Sequence, residues 1–233
     1  MQKHLICLPF AGGTKYSMKF PAQYLSPDIT LHAFDYPGHG GRLKEKMLED
    51  LTQMAEDIFE QCKHLLHHSC AIYGHSMGAL VAYLLTRKIV ESGARPPIHL
   101  FVSGSDGPSI PYQGALRSGL PKPDFIKELK RLGGMPQEIL NDDRIMDFFE
   151  PIIRTDFRAV ENYQYLAGSG LQVPITVMLG AQEKITMEAA YTWQQESVFP
   201  VQVKVFEGDH FFIYKQQQSI AAIINDAFET CLV

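Results

Sequence analysis

The stretch Ala71-Ile72-Tyr73-Gly74-His75-Ser76-Met77-Gly78-Ala79-Leu80 constrains the fold of this chain more than any other. A short apolar run leads into Gly-x-Ser-x-Gly, and Ala79, Leu80, Val81, Ala82 and Tyr83 then open a helical pattern. The succession predicts a strand, a sharp turn and a helix, with the Ser76 hydroxyl exposed at the turn. Gly74 and Gly78 carry no Cβ, so two backbone segments can approach closely beneath a serine held in a strained conformation. The new helix directs its unpaired N–H groups and positive dipole end at the site, where they favour a developing oxyanion. The Met77 N–H is placed to donate one of the required hydrogen bonds. Gly-x-Ser-x-Gly by itself fits any turn containing serine; the strand before it and the helix after it make Ser76 a candidate nucleophile.

The serine elbow implies an α/β fold, and 233 residues suffice for one such domain with an insertion. Apolar residues at 45%, charged residues at 20% and a formal charge of −5 are ordinary globular values. They offer no basic footprint for nucleic acid. Cys7, Cys62, Cys70 and Cys231 lack Cys-x-x-Cys spacing and disulfide-scaffold density, and two of them fall in expected buried strands. Reduced thiols in a cytoplasmic protein are expected. Met1 to Pro9 runs into a strand without a long apolar leader, and no stretch approaches a membrane span, so secretion and membrane association are not expected.

Along the chain, His4 to Phe10 reads as a strand followed by the flexible loop Ala11-Gly12-Gly13-Thr14. A Gly-rich loop after an early strand can supply a second backbone oxyanion donor, and Ala11 is the candidate. A phosphate loop is disfavoured, because neither Gly-Lys-Ser/Thr nor a full Gly-x-Gly-x-x-Gly is present. A second strand, Ile29 to Tyr36, runs into Pro37-Gly38-His39-Gly40-Gly41-Arg42, where His39 and Arg42 are expected to brace the loop. Met47 to about Leu66 has helical apolar spacing. The His64-x-x-His67-His68 cluster at its end lacks a paired Asp, Glu or Cys, which favours solvated histidines at a helix C-terminus over a metal site.

The elbow helix should run to about Glu91, and Ile98 to Val102 is a further strand leading to the loop 103–108. Between about 111 and 166 no strand is evident; the pattern gives short amphipathic pieces at Asp124–Leu132, Pro136–Leu140, Arg144–Phe149 and Ile152–Leu166. This predicts a helical lid inserted between two core strands. Phe125, Leu129, Leu132, Met135, Met146, Phe148 and Phe149 would face an acyl site or, for most of them, pack the lid's own small core. Pro174–Gly180 and Val201–Phe206 complete the sheet, and a last helix spans about Gln217–Phe228.

Ser76 needs a general base, since a neutral hydroxyl is a poor nucleophile at pH 7. Of the nine histidines, only His210 lies in a loop directly after a late strand, where it could face the elbow. His75 adjoins the serine but should point away along the turn. Glu183, three residues beyond the strand-ending Gly180, would orient the imidazole; Asp106, on the loop after the preceding strand, is the rival acid. Chain order, Ser…acid…His, favours Glu183. Asp209 is too close in sequence to His210 to orient it.

With these residues in hand, the chain resembles the type II thioesterases, the stand-alone editing hydrolases of nonribosomal peptide and polyketide synthetases. Leu8-Pro9-Phe10-Ala11-Gly12-Gly13, Asp35 to Arg42, Tyr73 to Gly78 and Gly208-Asp209-His210-Phe211-Phe212 carry the resemblance, with Arg131-Leu132-Gly133-Gly134-Met135-Pro136 in the lid. It implies one α/β-hydrolase domain over 1–233, acting as a monomer with no cofactor of its own. The substrate would be an acyl or aminoacyl thioester on the phosphopantetheine arm of an acyl or peptidyl carrier protein. Ser76 would be the nucleophile, Ala11 and Met77 the oxyanion donors and His210 the base. Glu183 stands where the family usually has Asp. A fatty acyl carrier-protein thioesterase shares these motifs and would show a longer apolar tunnel. A non-hydrolytic carrier-protein binding module would not depend on Ser76.

Overall fold

The computed structural model describes residues 2–113 and 116–230, so Cys231 lies outside the described residues. The strands are β1 (Lys3–Leu8), β2 (Ile29–Ala33), β3 (Ser69–His75), β4 (His99–Ser103), β5 (Ile175–Gly180) and β6 (Gln202–Phe206). The helices are α1 (Leu51–Cys62), α2 (Met77–Glu91), α3 (Lys122–Leu132), α4 (Gln137–Leu140), α5 (Asp143–Glu161), α6 (Met187–Tyr191) and α7 (Gln217–Thr230). The strands form one sheet in the order β2-β1-β3-β4-β5-β6, with every neighbouring pair parallel.

Parallel strands need crossovers, and those crossovers cover both faces, so the central strands β1, β3, β4 and β5 read as apolar runs, whereas the edge strands β2 and β6 alternate. Ile6, Leu8, Ile72, Leu100 and Val177 pack with buried residues of α1 and α2 in one core cluster. Leu5, Cys7, Tyr73, Phe101 and Met178 point to the other face, where Ile220, Ile224 and Phe228 of α7 close over them. Cys7, Cys62 and Cys70 are buried free thiols. Burial pushes the Cys62 thiol up to about 12 and the Cys70 thiol up to about 11.

Register sets the site. Leu8 pairs with Gly74, His75 with Ser103 and Gly180 with Phe206. The strands therefore end along one edge, and the loops after β1, β3, β4, β5 and β6 all emerge there. The order reverses between β1 and β3, the switch point where open α/β sheets form crevices at their carboxyl ends.

The segment between β4 and β5 carries α3, α4 and α5 around a cluster of Phe125, Leu129, Leu140, Met146 and Ile153. Phe125, Leu129 and Met146 thus pack this insertion's own core, whereas Phe148 is half exposed. The sequence pattern predicts two pieces separated by Pro151, but α5 continues through it. Proline removes one backbone bond, yet Met146, Ile152, Ile153, Asp156 and Ala159 are buried on either side of it and hold the helix together. The helix also stops at Glu161 rather than Leu166; the Leu166 carbonyl instead accepts from the Arg87 guanidinium at 2.7 Å. Between β2 and β3 the helix begins at Leu51, not Met47, because Asp50 accepts from the Gln53 N–H at 2.9 Å as its N-cap. Helix α6, capped by Thr186, was absent from the pattern reading. Among the described residues no helix is long and apolar enough to cross a membrane.

Candidate active site

Ser76 stands between β3 and α2 with φ 55° and ψ −120°. Among the described residues it is the only non-glycine with positive φ. Such a conformation costs on the order of 1–3 kcal/mol and persists only where the surroundings enforce it. Here the enforcement is backbone: the Ser76 N–H donates to the Ser103 carbonyl at 2.8 Å, and the Ala79 N–H donates to the Ser76 carbonyl at 2.9 Å. The glycines permit the crossing. A β-carbon on Gly74 would lie 2.0 Å from the Gly78 carbonyl oxygen, and one on Gly78 would lie 2.3 Å from that of Leu8. The second approach brings the elbow against the end of β1, and so beside the Phe10–Gly13 loop.

Two N–H groups of the segments that meet here are uncommitted: among the described residues, neither Ala11 nor Met77 donates its N–H to a protein acceptor. Met77 supplies the first N–H of α2, an orphan by the geometry of helices.

The loops after β5 and β6 meet through their backbones, the Gln182 N–H donating to the Gly208 carbonyl at 3.0 Å. Glu183 folds back on its own turn. Its Oε2 accepts the Gly180 N–H at 2.6 Å, and its Oε1 lies 2.6 Å from His210 Nδ1. The Glu183 side chain is 3% exposed and that of His210 22%. The extra methylene of Glu over Asp is absorbed by that fold-back. A carboxylate oxygen at this distance is placed to accept an Nδ1–H, the tautomer that leaves Nε2 unprotonated. Asp106 has no bond to His210; burial, then the Glu183 charge, pushes its carboxyl above the usual range. The structure brings Glu183, rather than Asp106, to His210.

His75 departs from expectation. Its ring does not turn away but lies 4.9 Å, centroid to centroid, from that of His210, with Nδ1 2.9 Å from Ser103 Oγ. Burial, then the neighbouring His210, holds it well below the usual histidine range. It stays neutral and packs against the His210 ring. Phe211 completes the wall, its ring 4.9 Å from Phe10 and 5.2 Å from His210. The inserted segment reaches this wall at Gly134, where a β-carbon would meet the Phe211 ring at 2.2 Å.

The loop after β2 does more than the sequence suggests. Arg42 pairs with Glu45 and Asp57 and donates to the Asp35 carbonyl, bracing the loop. His39, however, reaches 117 residues along the chain to Asp156 on α5, which also holds the Gly12 N–H. Asp156 was not singled out from the sequence; no local pattern marks a helical aspartate whose partners lie in two distant loops. An apolar pocket of about 170 Å³ opens beside it, lined by Gly12, His39, Leu43, Phe148, Phe149 and Ile152. Of the histidines after α1, His68 packs edge-on to His4. Among the described residues no group of three or more His, Cys, Asp or Glu is placed to hold a metal.

Residues 3–228 match the family described as Thioesterase domain. The chain belongs to that family. It is a thioester hydrolase with the expected α/β-hydrolase fold, and its relatives include the expected type II enzymes. It is 33% identical over 214 residues to the gramicidin S biosynthesis protein GrsT of Aneurinibacillus migulanus, covering 91% of this chain and 84% of that one. Among solved structures, RedJ, a thioesterase of the prodiginine pathway of Streptomyces coelicolor, superposes with a TM-score of 0.90 at 29% identity, covering 97% and 85% of the two chains. BorB, the type II thioesterase of the borrelidin cluster, gives 0.89 at 32% identity, covering 97% and 93%.

Proposed function

We propose that this thioesterase releases acyl or aminoacyl groups from the phosphopantetheine arm of a carrier-protein domain in a nonribosomal peptide or polyketide synthetase, as an editing enzyme. The observation that carries the catalytic assignment is the Glu183–His210 contact of 2.6 Å on the strand edge that also bears Ser76. The carrier-bound substrate is supported by the similarity to GrsT and BorB.

His210 Nε2 takes the Ser76 hydroxyl proton as Oγ attacks the thioester carbonyl carbon. Glu183 keeps Nδ1 protonated and stabilises the imidazolium that forms. The carbonyl oxygen becomes an oxyanion and is held by the N–H groups of Ala11 and Met77. When the tetrahedral species collapses, the C–S bond breaks and the imidazolium gives its proton to the departing pantetheine sulfur. The acyl group is left on Ser76. Water then attacks with His210 again as base, freeing the carboxylic acid and restoring the serine. These steps use only side chains, backbone donors and water. The pocket beside Gly12 is suited to a small or medium acyl group, and α3, α4 and α5 act as a lid that parts for the arm. We also propose that the enzyme works as a cytoplasmic monomer.

The test is hydrolysis of acetyl- and aminoacyl-loaded carrier protein, compared with the same acyl groups on coenzyme A and as simple esters. Preference for carrier protein, lost in Ser76→Ala, is the expected result. Equal rates on simple esters would remove the carrier-protein assignment.

A further inference from the structure

The lid helix α5 is tied to the oxyanion loop by a buried ion pair that the hydrolytic mechanism does not use. Asp156 is 0% exposed in its side chain and His39 2%. Asp156 Oδ2 accepts the Gly12 N–H at 2.6 Å and lies 2.9 Å from His39 Nε2. His39 Nδ1 lies 3.1 Å from the Pro37 carbonyl oxygen. A carbonyl can only accept, so Nδ1 carries a proton; with both ring nitrogens protonated, Nε2 donates to the Asp156 carboxylate as well. An imidazolium–carboxylate pair satisfies all three partners, and this is the direction in which the His39 surroundings push its pKa. An amide at 156 could serve Gly12 or a neutral His39, but not both through the one atom they share. Asp156 Oδ1 has no partner among the described residues. A fully buried ion pair with one oxygen left unsatisfied is a weak source of stability, which directs attention to what this one positions.

It positions Ala11. The peptide plane after Ala11 ends in the Gly12 N–H held by Asp156, and the plane before it ends in the Phe10 carbonyl, which accepts the Gly13 N–H at 2.8 Å. The Ala11 N–H lies in the second of these planes, held through the Phe10 carbonyl, and Asp156 fixes the plane that follows it, so both sides of Ala11 are anchored. Gly12 has φ 74°, and a β-carbon there would lie 2.7 Å from Ile153 Cγ1, one turn of α5 before Asp156. The loop is pinned beyond as well, by Asp35 Oδ1 accepting the Lys15 N–H at 2.7 Å. That anchor belongs to the β2 loop, whereas the Asp156 anchor belongs to the lid.

We propose that Asp156 and His39 form a latch through which the lid helix positions the Ala11 oxyanion donor, so that seating of α5 and readiness of the oxyanion hole are one event. The inference rests on the reading of Ala11 as that donor. Asp156 is on this account a positioning residue: it touches no reacting atom. Withdrawing α5 frees the Gly12 N–H and lets the Ala11–Gly12 peptide rotate, which loosens the turn that carries the Ala11 N–H.

The experiment uses the full chain with Asp156→Asn, Asp156→Ala, His39→Gln and the Asp156→Ala/His39→Gln double variant, assayed on acetyl-loaded carrier protein. Deleting an oxyanion donor outright costs about 10²–10³ in kcat, so misdirecting one should lower kcat about 10- to 100-fold with KM nearly unchanged. The double variant should be no worse than the poorer single, because the pair acts as a unit. Hydrogen exchange at the Gly12 amide, read by NMR without substrate, should accelerate in Asp156→Ala. Should that variant fail to fold, Asp156→Asn and His39→Gln, judged by cooperative melting, carry the kinetic arm. Folded variants with wild-type kcat, a loss confined to KM, or unchanged Gly12 exchange would each overturn the latch. Were wild type to release no acid, the functional reading would fall, and Gly12 exchange would still decide whether α5 holds the loop.

Discussion

Replacing Glu183 by Gln tests the catalytic geometry at its tightest point. The carboxylate accepts two short bonds, from Gly180 N–H and at His210 Nδ1, both 2.6 Å, in a side chain 3% exposed. A glutamine amide keeps its oxygen toward the Gly180 N–H, since the alternative sets an NH₂ against an N–H. The NH₂ then faces His210 Nδ1 and stabilises the tautomer whose proton sits on Nε2, the wrong atom for taking one from Ser76. An orienting acid replaced by its amide in such a triad lowers kcat about 10⁴-fold, or about 5.5 kcal/mol of activation free energy. The loss of charge-assisted bonding should also lower stability by about 1–3 kcal/mol. Acid release from acetyl-loaded carrier protein measures the first effect and urea unfolding the second. Asp106→Asn, measured alongside, should change kcat little. Glu183→Gln retaining wild-type kcat, or collapse in Asp106→Asn instead, would refute the assignment.

Further outcomes follow from other contacts. Gly78→Ala places a β-carbon 2.3 Å from the Leu8 carbonyl oxygen, a backbone atom that cannot swing aside. It should destabilise the fold by about 1–3 kcal/mol in denaturant titrations, and a neutral result would mean that β1 and the elbow are not pressed together as described. Burial alone would lower the His39 pKa; the Asp156 hydrogen bond and charge outweigh it, with smaller help from the Pro37 carbonyl and Asp35, and the net shift is upward. The groups facing His39 are Asp156 on α5 and Asp35 and Tyr36 in its own loop. A raised histidine pKa adds stability that is full below the unfolded value and is lost as pH rises through the folded one. The melting temperature of wild type relative to His39→Gln should therefore fall on going from pH 6 to above neutrality, and a flat difference would contradict the imidazolium. Phe149→Ala enlarges the pocket of about 170 Å³ beside Gly12 and should shift preference toward longer acyl groups in competition assays. An unchanged order of acyl groups would remove that pocket from the acyl path.

The parts of this protein that were legible in the sequence are those where chemistry leaves little choice of residue. The elbow could be read because crossing backbones admit glycine alone at 74 and 78. The central strands could be read because both their faces are covered, and the edge strands β2 and β6 by their alternation. Glu183 and His210 could be placed by chain order, but their contact depends on two loops joined through Gln182 and Gly208, which no local pattern encodes. Long-range packing accounts for the rest. Pro151 breaks a local helical pattern that Ile152, Ile153 and Asp156 restore by burial, and His39 looked like a loop brace because Asp156 is 117 residues away. His75 was misplaced for the same reason, since its neighbour His210 comes from the far end of the sheet.

The most direct test of the account is to look for the acyl group on the enzyme. Wild type mixed with acetyl-loaded carrier protein, quenched within the first turnover and digested, should give a peptide containing Ser76 that is heavier by one acetyl group. Ser76→Ala should give no adduct and release no acid. Acid release that survives in Ser76→Ala, or an acetyl group trapped on another residue, would contradict the central claim that Ser76, held in its elbow and served by His210, is the nucleophile.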